Sequence, residues 1–145
     1  FIDRLDSFHP GQVRVVDYKT GKVLPEDRDI PADQAKAEAL VKKIFSHDTE
    51  PASRPKIALQ FFIYDMLVQN HFLVRGKHLF NCVYSTARLF KEPPLNVPRN
   101  EMFFNAVSER LENTLKEMYS LEVPFRRTND EKVCEYCDFK MICGR

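Results

Sequence analysis

Two aspartates facing each other across a short β-hairpin constrain this chain more than any other feature. Residues 1–21, FIDRLDSFHPGQVRVVDYKTG, read as two strands around a turn. The first arm, Phe1 to Phe8, alternates apolar and polar residues, and the second, Val13 to Lys19, is rich in β-branched ones. His9-Pro10-Gly11 forms the turn, with Gly11 free to take positive φ. A turn centred near Pro10 sets Asp3 across from Asp17, and directly opposed side chains lie only about 4.5–5.5 Å apart at Cβ. Lys19 follows Asp17 by two and points to the same face. Like charges in that position repel, and one neighbouring ammonium offsets only part of the repulsion. A divalent cation between the carboxylates removes the conflict. Asp3 and Asp17 are therefore expected to be metal ligands, with Lys19 working beside them. The plainer reading of the same residues is an exposed hairpin with ordinary polar strand ends.

The chain has 145 residues, the size of one domain. Hydrophobic content of 43% and charged content of 30% allow a core and exclude a disordered tail. A formal net charge of +1 gives no global signal for nucleic acid, so any such contact has to rest on a local patch or on a metal. No apolar run is long enough to span a bilayer; the most apolar stretch, Ile57 to Val68, is broken by Gln60 and Asp65. The chain begins at Phe1 inside a strand pattern, without an initiator Met, and reads as a fragment of a longer protein. Three of its 4 cysteines, Cys134, Cys137 and Cys143, cluster near the end with ligand-like spacing. That pattern suits a reduced, cytoplasmic protein with a metal site better than a secreted disulfide scaffold.

Beyond the hairpin, residues 22–31 read as a loop broken by Pro25 and Pro31. A helix is expected over residues 32–45, with Ala35, Leu40, Val41 and Ile44 on one face. A second loop covers Ser46 to Pro55, and a second helix Lys56 to about Phe72, with Leu59, Ile63, Met66 and Leu67 as its core stripe. Gln60 and Tyr64 stack at i, i+4 on another line of that helix, which Ile57 and Val68 extend. A glutamine within an apolar helix needs a partner for its amide, either a backbone group in the core or a site. His78 to Ser85 reads as a strand, and a helical crossover makes it parallel to Val13–Lys19. Cys82 within it is expected to be a small core residue. Residues 91–98 form a proline-rich loop, Asn100 an N-cap, and residues 101–120 a third helix. The expected stripe of that helix is Phe104, Val107, Leu111, Leu115 and Met118, and an extended segment around Pro124-Phe125 follows it.

The chain closes on a C-x2-C-x5-C motif, Cys134, Cys137 and Cys143. This spacing lets one short segment offer three soft thiolates to a metal centre. A tetrahedral zinc site or a cubane iron–sulfur cluster wants a fourth ligand, which has to be Cys82, a histidine, or a residue outside this chain.

Taken in order, I-D, a hairpin, D-Y-K-T-G, a helix with Q-x3-Y, and C-x2-C-x5-C resemble the RecB-like branch of the PD-(D/E)xK nuclease superfamily. Within it the likeness is strongest to iron–sulfur-bearing AddB-type helicase–nuclease subunits and related CRISPR-associated exonucleases. The resemblance implies an α/β (α+β) fold of restriction-endonuclease type, a small mixed sheet flanked by helices, with the family's first helix and first strand missing before Phe1. It implies a partial nuclease core over residues 1–130 and a cysteine segment over residues 131–145 packing on the same domain. Asp3, Asp17, Lys19, Gln60 and Tyr64 become the catalytic set, and Asp3, Asp17 and the Tyr18 backbone carbonyl become ligands of magnesium or manganese. Cys134, Cys137 and Cys143 become ligands of a [4Fe–4S] cluster whose fourth cysteine lies upstream in the family, as does a histidine that supports the metal. The cluster is then structural, and this chain alone can lack it.

The chemistry so implied is metal-assisted hydrolysis of DNA phosphodiesters by an exonuclease that processes DNA ends in recombination and repair. Implied partners are DNA, a helicase subunit or fused helicase domain, and a dimer mate on the truncated sheet edge; no membrane is expected. Two rival classes fit the same residues. One is a catalytically inactive DNA-binding or scaffolding domain, and the other a zinc-stapled interaction domain.

Overall fold

The computed structural model describes residues 2–46, 53–91, 93–124, 128 and 131–144. The loop expected over Ser46 to Pro55 falls largely outside the described residues, as do Phe1 and Phe125. The chain divides into two compact units, Phe1–Arg110 and Leu111–Arg145.

The first unit is built on a four-stranded sheet of order β1-β2-β3-β4. Strands β1 (Arg4–His9) and β2 (Gln12–Lys19) form the antiparallel hairpin, with Arg4 opposite Val16 and Asp6 opposite Arg14. The turn is Pro10-Gly11, where Gly11 takes φ +72°, open to glycine at no steric cost. Between Asp6 and His9 the register shifts, and the Ser7 hydroxyl donates to the Gln12 carbonyl at 3.1 Å. Strand β3 (His78–Ser85) runs parallel to β2 through all eight positions, from Gln12 opposite His78 to Lys19 opposite Ser85. The parallel crossover expected from the sequence is therefore present. Strand β4 (Asn96–Pro98) adds antiparallel to β3 where a loop was expected. Three residues ending in Pro98 can close an edge, because a proline there has no donor to lose to a further strand.

Pairing places Val13, Val15 and Asp17 on one face with Leu79, Asn81 and Val83. Helix α3 (Lys56–Val68) covers that face. Tyr64 and Val68 pack with Val13, Val15, Val74 and Leu79, while Ile57 and Phe61 pack with Val83 and Val97. The expected stripe of α3 is corrected here: Ile63, Met66 and Leu67 are exposed, and the Ile57–Phe61–Tyr64–Val68 line is buried. The helix is apolar nearly all round, so composition could not choose its inner face. It also ends at Val68 rather than near Phe72; turns follow, tied by His71 N to Val68 O at 2.8 Å and closed by Gly76 at φ +75°.

Two further boundaries move. Pro25, read as a breaker, opens a four-residue helix, α1 (Pro25–Arg28), because its missing N–H and fixed φ suit the first helical position. Helix α2 (Gln34–Phe45) begins after Asp33, whose carboxylate accepts from Lys36 N at 3.0 Å; its buried residues are Ala37, Val41 and Ile44, and Ala35 is exposed. Helix α4 (Glu101–Met118) is capped by Asn100, as expected, with Phe103 N donating to Oδ1 at 3.0 Å. It buries Phe103 and Val107, while Leu115 and Met118 of its expected stripe stand exposed. α4 crosses the division between the units. The second unit holds its C-terminal turns, the short helix α5 (Glu131–Cys134), and turns up to Gly144.

The opposite face of the sheet carries a cross-strand ion pair. Arg14 Nε and Nη2 donate to the two oxygens of Asp6, each at 3.0 Å, and the guanidinium lies 4.9 Å from the Phe8 ring centroid. The Arg14 hydrogen bond holds the Asp6 carboxyl below its ordinary range. This pair sits at the register that puts Asp3 and Asp17 across from each other, so it pins the hairpin against a one-residue slip.

A buried Asp65 on α3 links helix to sheet, accepting from Asn81 Nδ2 at 2.8 Å. Asn81 Oδ1 is buried with no hydrogen-bond partner among the described residues. Burial, the largest effect, pushes the Asp65 carboxyl up to about 6 from 3.8, against the pull of Asn81 and the Arg99 charge. A protonated Asp65 has a hydroxyl to give; an ionised one has none. Because the folded-state value is raised, ionisation opposes folding. Stability is greatest below the ordinary value and falls as pH rises through about 4 to 6, by on the order of 2–3 kcal/mol. Asp65→Asn supplies a permanent donor, so relative to the native chain it should be stabilising at about pH 7.5 and near neutral at about pH 4. Urea unfolding at both values checks this; an equal effect at the two pH values would refute it.

Candidate active site

The C-terminal ends of β2 and β3 place a buried carboxylate under α3. Asp17 is only 4% exposed, although it lies two residues from the end of its strand. Its two oxygens are treated differently. Oδ1 accepts from the Tyr64 hydroxyl at 2.8 Å and from Gln60 Nε2 at 3.0 Å. Gln60 Nε2 also donates to the Tyr64 oxygen, which closes a triangle of three side chains. Oδ2 lies 2.9 Å from Lys19 Nζ as an ion pair outside hydrogen-bond geometry, and this buried oxygen has no hydrogen-bond partner among the described residues. The i, i+4 spacing of Gln60 and Tyr64 lets one helix turn supply both donors to one atom. The amide of Gln60 thus finds its partner in the strand's acid, not in the core backbone.

Tyr64 is held neutral. Burial first, and then the hydrogen bond to Asp17 and its charge, push the phenol up to about 12, with Asp3 adding in the same direction. The hydroxyl therefore remains a donor to Asp17 throughout the neutral range.

Asp3 lies one residue before β1 and is exposed. Its Oδ2 accepts from the Tyr18 backbone N–H at 2.8 Å, so this carboxylate is anchored to the residue between Asp17 and Lys19. Tyr18 itself is 46% exposed on the opposite face of the strand, its ring 5.6 Å from that of Tyr84. The structure thus brings Asp17, Lys19, Gln60 and Tyr64 into direct contact and sets Asp3 against the main chain beside them. Sequence reasoning missed the buried Asp65–Asn81 pair behind this site. Asp65 was visible as a charge interrupting an apolar helix, but its partner on a strand carried no separate signal.

Fit to a hard divalent cation can be judged from the oxygens. Such an ion takes carboxylate and carbonyl ligands, and Asp17 Oδ2 is a buried oxygen lacking a donor. Asp3 contributes a second carboxylate, and the Tyr18 carbonyl belongs to the residue whose N–H that carboxylate accepts. No group of three or more His, Cys, Asp or Glu side chains is gathered among the described residues. A cation here would thus rest on two carboxylates, a backbone carbonyl and solvent or substrate oxygens.

The same finding bears on the cysteines. Cys134, Cys137 and Cys143 lie on consecutive turns, with Cys137 N donating to Cys134 O at 3.2 Å and Cys143 N to Phe139 O at 3.3 Å. Their donor chemistry suits a soft metal, but the three thiols do not converge as a group of ligands. Cys82 is fully buried in β3, as expected of a core residue, and burial pushes its thiol up.

A mixed four-stranded sheet with a crossover helix on one face is consistent with a restriction-endonuclease-like fold. Comparison with family models agrees: the PD-(D/E)XK nuclease superfamily model matches residues 1–144, and the chain belongs to that superfamily. No curated protein and no solved structure matches it. No helix among the described residues is long and apolar enough to cross a membrane.

Removing one donor from a buried carboxylate should be costly. Tyr64→Phe leaves Asp17 Oδ1 with Gln60 alone and should destabilise the fold by about 1.5–3 kcal/mol, the range for hydrogen bonds to charged groups. A lowered urea midpoint at unchanged slope checks it. In Asp17→Asn the same Tyr64→Phe change should cost markedly less, because the acceptor charge is gone.

Proposed function

We propose that this chain is the nuclease domain of a DNA end-processing enzyme, a magnesium- or manganese-dependent deoxyribonuclease acting as an exonuclease. The observation that carries the reading is Asp17: a buried carboxylate with one oxygen saturated by Tyr64 and Gln60 and the other facing Lys19 without a hydrogen bond. A strand end built only for stability has no use for a buried acid with an unsatisfied oxygen.

In this reading Asp17 and Asp3 hold the divalent ion, with the Tyr18 carbonyl as a third ligand. When bound, the ion supplies Lewis acidity at the scissile phosphate. The chain's own residues do the remaining work. Tyr64 and Gln60 fix the orientation of the Asp17 carboxylate, and the neutral phenol never competes with it as an anion. Lys19, anchored by its ion pair, orients the attacking water and meets the negative charge that develops on the phosphoryl oxygens. Asp3, tied to Tyr18 N, keeps the second carboxylate at the mouth of the site.

The finer placement in the RecB-like branch, with a helicase partner and a role in recombinational repair, rests on the motif order and on the cysteine spacing. The proposed [4Fe–4S] cluster rests on the family resemblance of the cysteine motif, since the spacing by itself also fits zinc, and no catalytic step passes through it. Its signature would be visible charge-transfer absorbance after anaerobic purification, lost in Cys137→Ser; zinc by metal analysis would overturn it.

Lys19→Ala should lower cleavage of a labelled DNA strand by about 10²–10³-fold, as removal of one charge-stabilising donor does elsewhere. Asp17→Asn should abolish cleavage and also weaken manganese binding followed by paramagnetic resonance. Cleavage by Asp17→Asn at the native rate would exclude the assignment.

A further inference from the structure

The end of the sheet remote from Asp17 holds a second feature that the nuclease chemistry does not use. A cavity of about 400 Å³ opens there, lined by Arg75, Lys77, His78 and Arg99 together with Gln69 and Glu101 among others. Among the described residues, Glu101 is the only acid on its wall. Arg75 and Lys77 are exposed and have no ion-pair partner among the described residues. The loop that carries them is built, not slack. Val74, 4% exposed, anchors it in the core, Arg75 N and Lys77 N bond back to His71 O and Val74 O, and His78 N donates to Gly11 O at 2.9 Å.

Arg99 is set for an anion. Its guanidinium lies 4.1 Å from the Phe104 ring centroid, which fixes the plane, and Gln69 Oε1 accepts weakly from Nη1 and Nη2 at 3.5 and 3.4 Å. The remaining edge faces Glu101, with Nη2 bonded to Oε2 at 3.1 Å and Nε 2.8 Å from Oε1. That second contact is outside hydrogen-bond geometry, so the buried Nε is unsatisfied. The Glu101 side chain is 68% exposed and can leave at little cost. A guanidinium edge matched to a planar carboxylate also matches phosphate.

We propose that this cavity binds a backbone phosphate of the nucleic-acid strand, with Arg99 as the fixed fork, Arg75 and Lys77 as flanking charges, and Glu101 as the stand-in that a phosphate displaces. It rests on the nuclease reading for its ligand class. It also supplies the local patch that a chain of net charge +1 requires. The cavity lies at the level of Gln12 and His78, five residues before Asp17 and Val83 along the paired strands, or roughly 17 Å at strand rise. The two sites are thus several nucleotides apart, and the remote one acts on grip and not on the bond broken.

The test is fluorescence anisotropy of a labelled single-stranded oligonucleotide with the 145-residue chain, in chelator, so that neither metal binding nor cleavage contributes. Arg75→Ala with Lys77→Ala should weaken binding roughly tenfold and reduce the salt slope by about 1.4, at about 0.7 per phosphate contact on a single strand. Glu101→Gln should tighten binding severalfold. Lys42→Ala with Lys43→Ala removes the same charge from exposed positions on α2 and should do less. Equal losses in the two double variants would overturn the proposal. So would displacement of the oligonucleotide by micromolar inorganic phosphate, which would make this a small-anion pocket. Cleavage without any effect of Arg75 and Lys77 on affinity would sink the cavity and spare the nuclease; metal-independent binding through the cavity with no cleavage would do the reverse.

Discussion

The burial of one carboxylate organises this molecule. Asp17 occupies a position where a sheet normally places valine, between the apolar Val15 below it and the open strand end. A charge there is tolerated only if the fold returns the hydrogen bonds lost to water. Helix α3 does so for Oδ1 through Tyr64 and Gln60, and on β2 Lys19 sets its charge beside Oδ2. Each element also belongs to the core, so the site cannot loosen without disturbing the packing of Tyr64 and Val68 on Val13 and Val15. The arrangement is asymmetric. One oxygen is saturated and fixed, and the other is left with an ion pair alone, open to exchange for a better partner.

Register is the second constraint, and it follows from the first. A slip of one residue between β1 and β2 would turn Asp17 to the far face and bring Tyr18 under the helix. The far face resists that slip with a pair of its own. Asp6 and Arg14 meet through two hydrogen bonds, Arg14 rests on Phe8, and Arg4 lies within 6 Å of both the Tyr18 and Tyr84 rings. The two faces thus differ at one register: a charge buried beneath α3 on one, a charge spent on alignment on the other. Parallel pairing of β2 with β3 through all eight residues carries the alignment across the sheet.

What the sequence made legible follows this division. The hairpin, its turn, the parallel strand and the Gln60–Tyr64 line could be read because each is a local pattern with a fixed period. The motif order pointed to the superfamily that the family model also matches. The inner face of α3 was misread because Ile63, Met66 and Leu67 are as apolar as the residues that are buried, and only the sheet opposite decides between them. The outer half of α4 was misread for a related reason: period 3.6 marks a stripe but not whether anything covers it. Strand β4 and helix α1 were missed because Pro98 and Pro25 were treated as breaks, whereas an edge position and a first helical position are where proline is at home. Partners such as Asn81 for Asp65 are set by tertiary approach across 16 residues and leave no trace in spacing.

The near balance of charge in this chain, 22 basic against 21 acidic residues, then takes on a physical meaning. A uniformly basic surface would hold a polyanion everywhere and align it nowhere. Here some cations have an acid at hand, as with Arg14 and Asp6 or Lys116 and Glu112, and are spent internally. Lys19 and Arg99 also have acids, but those acids leave gaps: Asp17 Oδ2 has no hydrogen bond, and Arg99 Nε has a carboxylate it cannot properly use. Both gaps occur at ends of the same pair of strands. Rigid strands fix their separation, so a polyanion held at one end is presented at a defined distance from the other. Positioning of that kind, not bulk attraction, is what a nearly neutral protein can offer to a charged polymer.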